Sequence, residues 1–229
     1  MRKKIVIIGN GPSLNNIDMH FLKNTDTISY NRAYIAYKHW GFNPTYYMAI
    51  DRNAIFSYLS DVKKLISSNK IKHFFFRDIY KNILPKETNN LTYFHIGEHS
   101  NFNPNLADLG MFWNVAAVSI QILYSLGYRK FLLIGIDGNY LPNKAVKEVE
   151  SKYDLISLED NDLNHFTNNY YGKGIKYTRP NNSKFLNGWN QLSNQIQNMD
   201  IEIINSSLNS SVNCFKKMSF YNAWKWYEQ

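Results

Sequence analysis

The sequence lacks the features of several protein classes. It has one cysteine, Cys214, so no internal disulfide framework can form, which is typical of a reducing compartment. The apolar run at 5–8, after a basic start, is too short for a signal-peptide core or a membrane span. The longest apolar stretch, 115–126, is interrupted by Ser119 and Gln121, which favours a buried helix. We therefore expect a cytoplasmic protein.

Long runs of basic residues are also absent, although the formal net charge is +8. A positive chain favours anionic partners such as nucleotide phosphates or anionic lipid. Because the lysines are scattered, we do not expect nucleic-acid binding. The chain is 44% hydrophobic and 16% aromatic, which is enough to form a buried core.

Short apolar runs alternate with helical patterns along most of the chain. Strands are predicted at 5–8, 27–30, 46–50, 71–76, 130–134 and 201–204. Helices are predicted at 54–67 and 113–126. The run at 5–8 is apolar at every position, as in a strand covered on both faces. This rhythm predicts an α/β fold with a mostly parallel, Rossmann-like sheet flanked by helices.

The polar segment 138–182 breaks this rhythm. We predict three parts: a nucleotide-binding core at 1–137, a lid insertion at 138–182, and a return to the core at 183–229 with a helix, the last strand and a C-terminal helix. The aromatic C-terminus could pack on the body, on a second subunit or on a membrane surface. Peripheral membrane contact and homo-oligomerisation are both compatible with it.

Small and polar residues follow the predicted parallel strands at the edge where ligands of such sheets bind. These candidates are Gly9, Asn10, Gly11, Asn31, Asp51, Gly135, Ile136 and Asp137. Each residue type is also common in ordinary turns. Their convergence on several strand ends predicts a binding site at the carboxyl edge of the sheet.

The first turn differs from the dinucleotide fingerprint. Leu14 stands where a third glycine is expected, and Asn31 rather than an acidic residue follows the second strand. A Gly-Lys-Ser/Thr phosphate loop is also absent. Pro12 and Ser13 are predicted to begin a helix, with Ser13 as its N-cap. The free N–H groups at the N-terminus of this helix could bind a phosphate.

The insertion contains the candidate base. His165 is followed closely by Tyr170 and Tyr171, whereas the other five histidines have structural or surface contexts. A neutral imidazole can accept a proton near pH 7. Asp160 and Asp162 have Asp-x-Asp spacing, but their polar context favours a solvated loop, so no metal site is expected.

Three segments together resemble a known family. The segments are Ile-Ile-Gly-Asn-Gly-Pro-Ser-Leu at 7–14, Ser-Tyr-Asn-Arg-Ala-Tyr at 29–34 and Leu-Ile-Gly-Ile-Asp at 133–137. They are similar to segments of the bacterial CMP-sialic-acid-dependent sialyltransferases and the related motility accessory factors. The resemblance spans residue 5 to about residue 171. It departs at Asp51, where the family has asparagine, and at Tyr140, which lies one residue later than the family's tyrosine. Trp113 and Asn114 replace small hydroxyl residues.

The resemblance implies an inverting, metal-independent glycosyltransferase that uses a nucleotide-sugar donor, CMP-linked, and a glycan acceptor, without a further cofactor. His165 would be the general base. Asn10, Gly11, Ser13 and Asn31 would hold the phosphate and donor, and 135–137 would flank the nucleoside. Asp51 and Asn114 would contact the sugar or ribose. The leaving phosphate would be stabilised by the hydroxyl groups of Tyr140, Tyr170 and Tyr171.

Two alternatives remain open. A pterin diphosphokinase group has a similar core, and an enzyme of that class would use ATP and Mg²⁺. The chain could also be a non-catalytic nucleotide-binding protein.

Overall fold

The computed structural model describes residues 2–149 and 153–229. Its strands are β1 (Lys3–Ile8), β2 (Thr27–Tyr30), β3 (Tyr46–Ala49), β4 (His73–Arg77), β5 (Leu91–Phe94), β6 (Tyr128–Ile134), β7 (Val146–Glu148), β8 (Asp154–Ser157), β9 (Lys176–Thr178), β10 (Glu202–Asn205) and β11 (Lys216–Lys217). Its α-helices are α1 (Tyr37–Trp40), α2 (Arg52–Ser57), α3 (Leu59–Ser67), α4 (Val115–Ser125), α5 (Asn182–Ile196) and α6 (Phe220–Glu228).

Eight strands form one parallel sheet in the order β11-β10-β6-β1-β2-β3-β4-β5. Side chains of β1 alternate between its two faces: Val6 and Ile8 pack with α2, α3 and α6, whereas Ile5 and Ile7 pack with α4 and α5. All four are fully buried. The predicted α/β class with a parallel, Rossmann-like sheet is confirmed.

Two predicted helices differ from the structure. The segment 54–67 is interrupted at Tyr58, whose φ of −133° and ψ of 25° separate α2 from α3. The turn after β1 leads into a short 3₁₀ segment, Pro12–Asn16, rather than an α-helix. Its N-cap is Gly11, so the predicted capping position of Ser13 is wrong. Strands β5 and β11 were not predicted; β11 has only two residues, which is too short to show a pattern.

The insertion at 138–182 contains a three-stranded antiparallel sheet in the order β7-β8-β9; its residues 150–152 lie outside the described part of the chain. This small sheet packs against α2. The Ser57 hydroxyl accepts a hydrogen bond from the Lys176 N–H at 2.9 Å, and the Asn53 amide donates to the Thr178 hydroxyl at 3.1 Å. The insertion is therefore bonded to the core at its own strand β9.

The C-terminal helix α6 packs on the body of the chain. Ala223 and Tyr227 are buried, and Lys4 donates to the carbonyl of Tyr227 at 2.8 Å. Lys130 donates to the carbonyl of Trp226. Cationic side chains thus bond the last carbonyls of the helix, which stabilises its C-terminus. Within the described ranges, every helix falls short of the length or apolar character that a bilayer span needs.

Candidate functional site

The turns after β1 and β6 touch each other through glycines. Gly11 donates its N–H to the carbonyl of Gly135 at 2.9 Å. A Cβ at Gly9 would lie only 2.7 Å from the carbonyl carbon of Gly135, which itself has a φ of 63°. Larger residues would separate these two turns. These glycines therefore serve the close approach of the two strand ends.

The Asp137 carboxylate is hydrogen-bonded to the turn that follows β1. It accepts the backbone N–H of Ser13 at 2.9 Å and also the Ser13 hydroxyl. The Ser13 oxygen lies 3.0 Å from the hydroxyl oxygen of Ser207. Two of the donors predicted to hold a phosphate are thus bonded to a carboxylate of the same chain. A phosphate could use them only by displacing Asp137.

Two asparagines at this edge present unsatisfied oxygens. Asn10 donates its amide to the carbonyl of Tyr30 at 3.2 Å, and Asn31 has a left-handed φ of 49°. Within the described residues, the side-chain carbonyl oxygen of each is buried without a hydrogen-bond partner. An unpaired buried acceptor costs about 1–3 kcal/mol. A ligand that reached these two buried oxygens could supply the missing hydrogen bonds.

Further unsatisfied groups, which sequence reasoning missed, continue this edge toward β4. They are buried, have no partner in the ranges 2–149 and 153–229, and comprise Arg32 Nε, Tyr58 OH, Arg77 Nε and Tyr80 OH. Arg32 directly follows the predicted Asn31, and Arg77 ends β4. Their positions after strands were a usable signal. The edge therefore offers donors as well as acceptors.

Asp51 bridges the core and the insertion. One carboxylate oxygen caps α2 by accepting the N–H groups of Asn53 at 3.0 Å and Ala54 at 3.2 Å. The same oxygen accepts the Thr178 hydroxyl of β9 at 3.3 Å. Burial raises the pKa of Asp51, although these hydrogen bonds oppose the shift. Asp51 therefore has a structural role, capping α2 and binding β9. The predicted contact with the sugar or ribose would be a second role.

Asn114 has its side chain engaged on both sides. Its carbonyl oxygen accepts the N–H of Ala117 at 2.7 Å, which caps α4, and its amide donates to the carbonyl of Phe112 at 3.0 Å. The residue is 8% exposed. The structure gives Asn114 a helix-capping role, and its contact with a ligand stays a prediction.

The insertion lies over the first two strand-end turns. The Phe166 N–H donates to the carbonyl of Asn10 at 2.9 Å. Arg32 is bonded twice to Tyr170: its N–H lies 3.3 Å from the tyrosine hydroxyl, and its guanidinium donates to the tyrosine carbonyl at 2.5 Å. Residues 166–170 are thus brought next to Asn10 and Asn31.

His165 forms a buried pair with Asp162. Its Nδ1 lies 2.7 Å from Asp162 Oδ2, and the two side chains are 9% and 4% exposed. The expected solvated loop is therefore wrong at Asp162. Burial raises the pKa of Asp162, but hydrogen bonds from His165 and from the N–H groups of Asn164 and Tyr171 outweigh it, and the net pKa is lowered.

Aromatic rings surround this pair. The Tyr170 ring stacks on the imidazole, with centroids 4.0 Å apart and 9° between the planes, and Tyr171 meets it edge-on at 4.9 Å. The ring centroid of Tyr140 lies 6.4 Å from that of His165. Burial, and to a smaller extent the charges of Asp137 and Asp162, raises the pKa of Tyr140 to about 12. Burial also places the pKa values of Tyr170 and Tyr171 well above the ordinary value. All three phenols are neutral hydroxyls near pH 7.

A cavity of about 260 Å³ opens beside the pair. Among the predicted site residues, Tyr140, His165 and Tyr171 line it, and Asp162, Asn143 and Arg179 are also part of its lining. The strand-end residues Asn10, Asn31, Asp51 and Asp137 are outside its lining. The site therefore has two sides, which Tyr170 connects: a core edge with unsatisfied polar groups, and a cavity formed by the insertion.

The chain thus has an open, Rossmann-like parallel sheet with polar groups at its carboxyl edge, where sheets of this class bind ligands. The chain belongs to the MptE-like family, described as 6-hydroxymethylpterin diphosphokinase MptE-like, whose model matches residues 1–143. The match ends before most of the insertion and does not include His165. No curated protein sequence matches the chain significantly.

Solved structures with a similar fold include glycosyltransferases. The MAf glycosyltransferase of Magnetospirillum magneticum AMB-1 aligns with a TM-score of 0.58 and 15% identity over 96% of this chain. This chain spans about a third of its length, 34%. The sialyltransferase CstII of Campylobacter jejuni, in complex with CMP-3FNeuAc, aligns with a TM-score of 0.53 and 15% identity, covering 95% of this chain and 85% of CstII. The sialyltransferase-like fold predicted from the sequence is confirmed.

Proposed function

We propose that this protein is an inverting glycosyltransferase that uses a CMP-linked sugar donor and a glycan acceptor. The observation that carries the proposal is the position of the His165–Asp162 pair. It lies on a segment bonded directly to Asn10 and Arg32, next to the unsatisfied groups of the sheet edge. A base is thereby held beside a surface suited to a polar ligand.

The donor would bind at the sheet edge. Asn10 and Asn31 would accept hydrogen bonds from it, and Arg32 would donate to its phosphate. The turn at 135–137, beside Gly9 and Gly11, would flank the nucleoside. Asp51 would contact the sugar or ribose. Since Ser13 is bonded to Asp137, we assign the phosphate to Arg32 and the tyrosines rather than to Ser13.

His165 would remove the acceptor proton. As the acceptor oxygen forms a bond to the anomeric carbon, the bond from that carbon to the phosphate oxygen breaks and CMP leaves as an anion. The acceptor hydroxyl proton passes to Nε2 of His165. The neutral hydroxyls of Tyr140 and Tyr170 would stabilise charge on the leaving phosphate. The residues supply both tasks without a further cofactor.

The comparisons support the donor and acceptor classes. CstII has been solved with CMP-3FNeuAc, and also with CMP and a trisaccharide acceptor at a TM-score of 0.51 and 16% identity. Those ligands belong to CstII, and we propose the same classes for this chain. Membrane contact and oligomerisation stay predictions.

A second candidate function follows from the family match. The MptE-like model covers the core and is described by a pterin diphosphokinase. Such an enzyme would bind ATP with Mg²⁺ and transfer a diphosphate to a pterin hydroxyl. This reaction would also need a base, so His165 alone does not separate the two functions.

A titration with nucleotides separates them. We expect CMP to raise the melting temperature and to bind in calorimetry equally well in EDTA and in Mg²⁺. Asn10→Ala should weaken CMP binding, whereas Asn15→Ala, an exposed asparagine of the same turn, should not. Binding of ATP only with Mg²⁺ would support the diphosphokinase instead. No binding of CMP, CDP, UDP or ATP would favour the non-catalytic alternative.

A further inference from the structure

We propose that Asp162 is a positioning residue that holds His165 in one tautomer, with the proton on Nδ1 and the lone pair on Nε2. The proposal rests on the function proposed above, in which His165 is the base. It adds a residue that sequence reasoning assigned to a solvated loop.

The hydrogen bonds around Asp162 fix its carboxylate. Oδ2 accepts from His165 Nδ1 at 2.7 Å and from the Tyr171 N–H at 3.0 Å, and Oδ1 accepts from the Asn164 N–H at 2.9 Å. With these bonds lowering its pKa, Asp162 is ionised near pH 7 and only accepts. The imidazole must therefore carry a proton on Nδ1.

The imidazole ring is held in place as well. Tyr170 covers one face at 4.0 Å, and Tyr171 packs edge-on at 4.9 Å. Tyr170 is itself bonded to Arg32 of the core. A 180° flip would keep the ring in the same plane but would place Cδ2 instead of Nδ1 opposite Asp162, so it would break that hydrogen bond. Nε2, which makes no hydrogen bond to the residues that the structure describes, thus stays the atom available to a substrate in the adjoining cavity.

Burial distinguishes this pair from the other histidine–aspartate contacts in the chain. His20 and Asp18 are 76% and 61% exposed, His95 and Asp78 are 53% and 33%, and the third pair, at residues 99 and 108, is 30% and 49%. Water competes with hydrogen bonds at such exposures. The pair at 162 and 165 is 4% and 9% exposed, so its hydrogen bond controls the tautomer.

The consequence for proton transfer is specific. Asp162 favours the imidazolium that forms when Nε2 takes the acceptor proton. In Asp162→Asn, the amide can donate to Nδ1, which moves the imidazole proton to Nε2 and removes the acceptor lone pair. We expect turnover to fall about 10²- to 10⁴-fold. Affinity for CMP should stay nearly unchanged, because Asp162 does not touch the sheet edge.

The test is ¹⁵N NMR of histidine-labelled protein, with His165 signals assigned by their loss in His165→Gln. In the wild type we expect protonated Nδ1 and unprotonated Nε2. In Asp162→Asn we expect the proton on Nε2. Asp160→Asn is the matched control, since Asp160 lies in the same segment but is exposed and bonded to the Lys173 N–H. It should leave the His165 spectrum and turnover as in the wild type.

The wild-type spectrum decides the proposal even if Asp162→Asn fails to fold. A neutral wild-type His165 with its proton on Nε2 would overturn it, and so would an unchanged tautomer in a folded Asp162→Asn. The proposed function fails separately. A spectrum as expected, with no transfer from CMP-, UDP- or other nucleotide-linked sugars, would contradict the glycosyltransferase and leave the tautomer assignment in place.

Discussion

Replacing Gly11 by alanine should disrupt the contact between the first turn and Asp137. Gly11 has a φ of −71° and a ψ of 160°, which alanine also adopts, so the substitution causes no backbone strain. The added Cβ would lie 2.7 Å from Asp137 Cγ and 2.9 Å from the carbonyl oxygen of Gly135. The carboxylate must therefore move away from Ser13.

Moving the carboxylate breaks its two hydrogen bonds from Ser13. Bonds to a charged group contribute about 1.5–3 kcal/mol each. Since a displaced carboxylate regains water, we expect a loss of about 3 kcal/mol, the low end of that sum. For a chain of this length, 1 kcal/mol corresponds to about 2–4 °C, so the melting temperature should fall by about 6–12 °C.

A double-mutant cycle with Asp137→Ala isolates the clash. In that background, Gly11→Ala should cost only about 1 kcal/mol, from the remaining approach to Gly135. Gly174→Ala is the control for a strained glycine in open space, with a φ of 84° and an expected cost of about 1 kcal/mol. Thermal or urea unfolding measures all four variants. Equal costs of Gly11→Ala in both backgrounds would refute the proposed contact.

Three other variants test individual assignments. The pKa of Asp162 is lowered by folding, so Asp162→Asn should reduce the melting temperature at pH 7. The difference in melting temperature between wild type and variant should shrink below about pH 4, because acid then protonates Asp162 in the wild type. The pKa of Asp51 is raised, so Asp51→Asn, which keeps a capping oxygen, should increase the melting temperature at pH 7, with no gain below about pH 4. A change in melting temperature of the opposite sign in either variant would contradict the direction of the pKa shift of that residue. Asn114→Ala should cost about 1–2 kcal/mol of stability while leaving CMP affinity unchanged, and weakened CMP binding would return Asn114 to the ligand site.

Six of the eight strands of the central sheet could be predicted, because their residues form short, mostly apolar runs. Residues 5–8 are apolar throughout and are covered on both faces, and 27–30 coincides with β2. By contrast, the insertion sheet has strands of three or four residues, and the buried apolar residues of β8 and β9 are Leu155 and Tyr177. Two apolar positions in a polar segment give no periodicity to detect.

Candidate site residues could be selected from the sequence where they follow strands, but not where their surroundings depend on tertiary contacts. Asn10, Asn31 and His165 could be selected from their positions along the chain. Asp162 looked solvated because its neighbours are polar, and only the fold places Tyr171 and His165 around it. For Asn114 the sequence could not separate two roles, since capping an α-helix and binding a ligand favour the same residue type.

The most direct measurement of the central claim, that the sheet edge holds the donor and the insertion supplies the base, is CMP release by His165→Ala. We expect turnover of a CMP-linked sugar to fall about 10²- to 10⁴-fold, with CMP affinity within about twofold of the wild type. His39→Ala, an exposed histidine of α1, should behave as the wild type. Full turnover in His165→Ala would contradict the account.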